Sequence, residues 1–112
     1  MALVYKIIPA ADWAAAEKLG RFDGSPVDVR DGFIHLSTAG QAEETAAKHF
    51  AGQTDLLLVA FDEAELGESL VFEPSRGGAL FPHLYAALAT VLARTVKPLP
   101  WRDDAHDFTG LL

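Results

Sequence analysis

The chain has 112 residues and a mass of 12.0 kDa, enough for one hydrophobic core and too little for two. A single domain over 1–112 is expected, with a core over 1–98 and an acidic tail over 99–112. Half of the residues are apolar and sixteen acidic residues against nine basic ones give a formal charge of −7, so the composition is globular and opposes broad attraction to DNA or to anionic lipid. No cysteine is present, which excludes disulfides, thiolate zinc sites and cysteine nucleophiles. No segment approaches the roughly 20 apolar residues of a membrane span, and Met1 to Ala10 is interrupted by Lys6 and lacks a cleavage-site pattern, so a cytoplasmic protein is expected.

Leu3 to Ile8 is short, partly β-branched and stopped by Pro9, which predicts an opening strand. Asp12 then caps a first helix over Trp13 to Leu19, with Gly20 as its stop. Gly20, Gly24, Pro26 and Gly32 break the next stretch, and residues 20–32 read as a loop. Phe33 to Ser37 predicts a brief strand that places Phe33, His35 and Ser37 on one face and Ile34 and Leu36 on the other. Thr38 and Gln41 have capping-box spacing, and Ala42, Ala46, His49 and Phe50 recur at helical intervals until Gly52.

Leu56 to Phe61 is apolar on both faces, as the central strand of a sheet is. Asp62 to Gly67 reads as an acidic turn or a single helical turn, and Leu70 to Glu73 as a strand closed by Pro74. Ser75 to Gly78 is a loop, Phe81 to Tyr85 re-enters extended structure with His83 and Tyr85 on one side, and Thr90 to Lys97 alternates as a strand does. The tail from Trp101 either packs on the surface or frays. A strand-rich second half without crossover helices predicts an α+β domain with mostly antiparallel pairing and two to three helices.

The chain has no glycine-rich dinucleotide turn, phosphate loop, serine elbow or paired-histidine zinc helix. Histidines 35, 49, 83 and 106 show no diagnostic ligand spacing, so no metal site is expected. His35 with Ser37 is either the wall of a cleft or a hydrogen-bonded core histidine beside a helix-preceding serine. His83 with Tyr85 offers a titratable donor and a stacking ring, or an ordinary strand. Arg76 before Gly77 and Gly78 suits a phosphate or a carboxylate, or a solvated turn. Glu73 reads as a general base or as the partner of Arg76. His49 reads as structural and His106 as exposed. Residues 70–100 carry net positive charge in an acidic chain, which places an anionic ligand on that half.

Asp31 to Thr38 and Glu73 to Tyr85 resemble, in order, the markers of a bacterial family known as domain of unknown function nine-fifty-two. That resemblance implies an ADP-ribosyltransferase-like fold, a split and mostly antiparallel sheet around a nicotinamide dinucleotide cleft. It implies NAD as a substrate, or a small nucleotide-like ligand. His35, Glu73 and His83 are then the catalytic candidates, and Ser37, Thr38, Arg76 and Tyr85 the ligand-binding ones. His35 followed by Ser37 is similar to the motif that orients a ribose hydroxyl, His83 or Tyr85 to the residue that stacks on nicotinamide, and Arg76 to a pyrophosphate contact. After Glu73 the chain has no glutamate, so Glu73 is the sole carboxylate of that type near the expected cleft. A non-enzymatic module for a nucleotide or small anion, and an unrelated small hydrolase, are the alternatives.

Overall fold

A computed structural model describes residues 2–112, with Arg76 described by its backbone alone. In chain order the elements are β1 (Leu3–Pro9), α1 (Ala10–Leu19), β2 (Arg21–Phe22), α2 (Pro26–Asp31), β3 (Ile34–His35), β4 (Ser37–Thr38), α3 (Ala42–His49) and β5 (Leu56–Asp62). They continue with α4 (Glu63–Leu66), β6 (Leu70–Pro74), β7 (Leu80–Leu84), β8 (Leu88–Ala89), β9 (Ala93–Leu99), β10 (Trp101–Arg102) and β11 (Ala105–His106). Every strand pair is antiparallel. The architecture is α+β, as the order of elements predicts, with four α-helices among the described residues in place of the expected two to three because α2 forms within the expected loop.

The main sheet has the order β4-β1-β5-β9, with β5 central as its two-sided apolar run requires. Val4, Ile8, Val59 and Phe61 point into one core with Trp13, Ala16, Phe22 and Leu88, while Tyr5, Ile7, Leu56, Leu58 and Ala60 point into a second with Ala46 and Leu99. This division follows the two-residue period of the strands. The tail is packed rather than frayed: Phe108 and Leu111 close the second core.

A smaller sheet, β3-β7-β6, lies beside the main one. The strand expected at residues 33–37 is shared between them. Its first half pairs with β7, through Ile34 with Leu84 and His35 with His83, and its second half pairs with β1, through Ser37 with Tyr5. At the switch, Leu36 N–H donates to Pro82 O at 3.0 Å. One short segment thus joins two sheets, and the divergence of the sheets leaves a cleft between them.

Residues 20–32 are the main departure from the sequence expectation, since α2 lies within them. Ser25 occupies the N-cap position with extended backbone, Pro26 opens the helix, and the Ser25 N–H donates to Asp28 Oδ2 at 2.8 Å. Gly32, with a positive φ of 85°, ends it. Gly24 holds φ at 116°, and a Cβ there would stand 2.9 Å from Asp28 Cβ. Gly24→Ala is therefore expected to lower stability by about 1–3 kcal/mol, measured by urea unfolding; an unchanged midpoint would contradict the close approach.

Two smaller corrections concern helix starts. Helix α1 begins at Ala10 after Pro9, so Asp12 lies in its first turn and is not its cap. Helix α3 begins at Ala42, and Gln41 accepts from the Thr38 N–H at 3.1 Å as half of the expected box.

Candidate functional site

A cavity of about 600 Å³ opens where the sheets diverge, with walls from both sheets and from α2 and α3. Lys6 and Ser37 line it from the main sheet, His35, Phe81 and His83 from the smaller one, Arg30 and Asp31 from α2, and Thr45 and His49 from α3. His49, expected as structural, is exposed at this wall.

The two histidines are directly opposite each other on paired strands, with ring centroids 5.5 Å apart. Phe33 packs between them and Tyr85, at 4.6 Å from the His35 ring, 4.1 Å from His83 and 5.3 Å from Tyr85. Each histidine is tied at Nδ1 to a carboxylate: His35 to Asp28 Oδ1 at 2.7 Å and His83 to Glu73 Oε1 at 2.8 Å. A carboxylate oxygen only accepts, so each Nδ1 donates. This fixes both ring orientations and turns the opposite ring edges away from the carboxylates that hold them.

The partner of His35 is unusual in its surroundings. Asp28 is 2% exposed and sits beside Lys6, 7% exposed, with Lys6 Nζ at 3.0 Å from Asp28 Oδ2 and 3.2 Å from Oδ1. Asp28 also accepts from the backbone N–H of Ser25 and, at 3.1 Å, from that of His35. Burial by itself pushes the Asp28 carboxyl up, but the Lys6 charge and the hydrogen bonds from Ser25 and His35 outweigh it and hold the group below the ordinary range. Lys6 is held below its ordinary value because burial exceeds the help it receives from Asp28. A buried ion pair thus anchors one wall of the cavity, with α2 and β3 both fastened to it.

At the rim, Asp31 meets the other side of the same imidazole, with Oδ2 at 3.0 Å from His35 Nε2. Its other oxygen accepts from Arg30 Nε at 3.0 Å. Both His35 contacts are hydrogen bonds when both ring nitrogens carry protons, the cationic form. The Arg30 hydrogen bond and charge, with those of His35, hold the Asp31 carboxyl below the usual carboxylate range.

Of the residues expected at the site, His35, Ser37 and His83 line the cavity; Glu73, Tyr85 and Thr38 are not among the described lining residues. Ser37 is buried, and its hydroxyl lies 3.0 Å from that of Thr45. Glu73 Oε1 accepts from both His83 Nδ1 and the Tyr85 hydroxyl, the latter at 2.8 Å, and these bonds hold its carboxyl below the ordinary value. That hydrogen bond to Glu73 pushes the Tyr85 phenol up. Glu73 therefore acts on His83 and not on the cavity. Tyr85 is 50% exposed on the far side of Phe33. The Arg76 side chain lies outside the described residues. His106, expected as exposed, is half-buried against Trp101, and its Nε2 is 3.1 Å from Gln53 O. Among the described residues, no group of three or more His, Cys, Asp or Glu side chains is gathered as a metal site, and no helix is long and apolar enough to cross a membrane.

Sequence reasoning missed Lys6, Asp28 and Asp31. The signals were present: Ser25-Pro26 followed by Asp28 has capping-box spacing, and a lysine in the middle of an apolar strand needs a buried partner.

The crystal structure of CC0527 from Caulobacter crescentus is 49% identical to this chain, with a TM-score of 0.92 over 96% of this chain and 95% of that one. The solution NMR structure of CC0527 is also 49% identical, with a TM-score of 0.88 over 100% of this chain and 97% of that one. No curated protein matches. The family described as Protein of unknown function (DUF952) matches residues 7–96. That match spans most of the sequence, and the chain belongs to the DUF952 family of proteins of unknown function.

Proposed function

We propose that the cavity binds a nucleotide of the NAD type, with His35 and His83 directed at its sugar and base and the mouth of the cleft open to its phosphates. The observation that supports this best is the facing pair of imidazoles, each held at Nδ1 by its own carboxylate, on the wall of a cavity of about 600 Å³. Cavities of roughly 300–1,000 Å³ with a few fixed polar groups are typical of small-ligand sites. An apolar wall that includes Phe81 and Ile7 suits a planar ring, and the anchored histidines suit ribose hydroxyls. An ADP-ribosyltransferase-like arrangement is part of this proposal. Its support is the resemblance of segments 31–38 and 73–85 together with a mostly antiparallel structure split into two sheets.

Binding without transfer is a second reading, favoured by the position of Glu73. A carboxylate already accepting from His83 and Tyr85 is a holder of His83 and not a group facing the glycosidic bond.

Calorimetry with NAD tests both. The wild type is expected to bind, and His35→Ala to bind at least about tenfold more weakly, the size of one lost charge-assisted hydrogen bond. Release of nicotinamide, followed by chromatography, would place the chain with the transferases. Binding without release would place it with the modules, and absence of wild-type binding would overturn the nucleotide proposal.

A further inference from the structure

Asp31 lines the cavity between Arg30 and His35. Its two carboxylate oxygens are divided between two side chains that both line the cavity: Oδ1 accepts from Arg30 Nε at 3.0 Å, and Oδ2 lies 3.0 Å from His35 Nε2 and 3.5 Å from Arg30 Nη2. The forked guanidinium and the imidazole edge thus converge on one pair of oxygens. A phosphate presents paired oxygens in much the same way, which is why guanidinium forks bind both groups.

The contact is also easily released. Arg30 and Asp31 are at the surface, where an ion pair contributes little to stability. Asp31 is the last residue of α2, and the next residue, Gly32, has the positive φ of 85° that frees the chain from helical geometry. His35, by contrast, is held from behind by the buried Asp28 and does not depend on Asp31 for its orientation. His35 is thus anchored in the core, while Arg30 and Asp31 are held at the surface chiefly by each other.

We propose that Arg30 and His35 form a phosphate-binding subsite of the cavity, and that Asp31 occupies it in the unliganded chain as an internal competitor. The ligand class is a phosphate-bearing small molecule, and the assignment deepens the nucleotide reading above by naming the group that the cavity mouth receives. On binding, the phosphate takes the hydrogen bonds of Arg30 and His35 Nε2, and the Asp31 carboxylate swings to solvent. Its negative charge, left beside the phosphate, keeps the affinity of the wild type low.

Inorganic pyrophosphate is the probe, titrated by calorimetry and by imidazole NMR of His35. Asp31→Asn is expected to bind it about tenfold more tightly than the wild type, the scale of one nearby like charge in a partly exposed site. Glu17→Gln is the control, since Glu17 is an exposed carboxylate of α1 that is not among the lining residues of the cavity. It is expected to change affinity by less than about twofold, a screened long-range effect. Arg30→Gln in the Asp31→Asn background is expected to remove the gain, and thermal unfolding should show Asp31→Asn close to the wild type. Equal affinity for Asp31→Asn and wild type, an equal gain from Glu17→Gln, or no pyrophosphate binding by either chain would overturn the proposal. A parallel titration with NAD separates the two conclusions. Pyrophosphate gain without NAD binding sinks only the nucleotide reading, whereas NAD binding without pyrophosphate gain sinks only the competitor.

Discussion

Asp28→Ala is expected to cost about 3–5 kcal/mol, a large part of the 5–15 kcal/mol that holds a domain of this kind together, because it strands a charged group in the core. Three losses coincide. Lys6 Nζ is left without its carboxylate, the Ser25 N–H loses its cap, and the His35 N–H and Nδ1 lose their acceptor. Lys6→Met should be milder, costing about 1–3 kcal/mol, because Asp28 loses its counter-charge but retains three donors. The asymmetry follows from partner number: Asp28 has several donors, while Asp28 is the one carboxylate paired with Lys6 among the described residues. The double variant should recover part of the loss of Asp28→Ala, since no lone ammonium remains. Urea unfolding measures all three, with a fall in melting temperature above about 10 °C for Asp28→Ala as a second readout. If Lys6→Met proves as costly as Asp28→Ala and the double variant recovers nothing, the pair does not organise this wall.

Stability should decline steeply once the pH falls below about 4, and the same pair should supply most of the slope. Asp28 and Glu73 both have folded-state values below their ordinary ones. A carboxylate depressed in this way stabilises the fold fully above its unfolded value, near 3.9 for Asp and 4.3 for Glu, and that share is lost as pH falls through the folded value. Asp28 is buried and its share is large; Glu73 is part-exposed and solvent screens its share. Lys6→Met removes the foremost influence lowering the Asp28 value, so it should shrink the acid-labile portion by taking away part of the stability that Asp28 supplies at neutral pH. Glu73→Gln should flatten the limb only slightly. Urea midpoints between about pH 3 and pH 6 decide the matter. A Lys6→Met limb that matches the wild type would remove Asp28 as its source.

Much of this architecture was legible from strand periodicity. The apolar run at Leu56 to Phe61 needs partners on both edges and cover on both faces, and β1 and β9 supply the edges. His35 and His83 each sit on a short strand beside aromatic neighbours, so their convergence required only that those two strands pair. Local pattern does not encode a change of partner within one strand. The break at Leu36 is a tertiary event, set by the direction in which the two sheets diverge, and nothing in Phe33 to Thr38 announces it. Helix α2 was hidden because Gly24 and Gly32 mark it as a loop, although they are what its N-terminal approach and C-terminal exit require. The partners of Glu73 were not legible for a related reason. Strand position placed it near the histidines, but only cross-strand geometry shows its carboxylate facing His83 and Tyr85.

The strand that changes sheets at Leu36 has a mechanical meaning for ligand binding. His35 belongs to one sheet and Ser37 to the other, so the gap between them is a seam bridged along the chain by the single residue Leu36 and its bond to Pro82. A molecule gripping both lips acts as a rivet, and its binding energy is recovered as resistance to shear between the sheets, growing with occupancy. The Leu36 amide is the natural gauge of that grip: its hydrogen should exchange with solvent more slowly as the cleft fills, while amides deep in β5 keep their own pace.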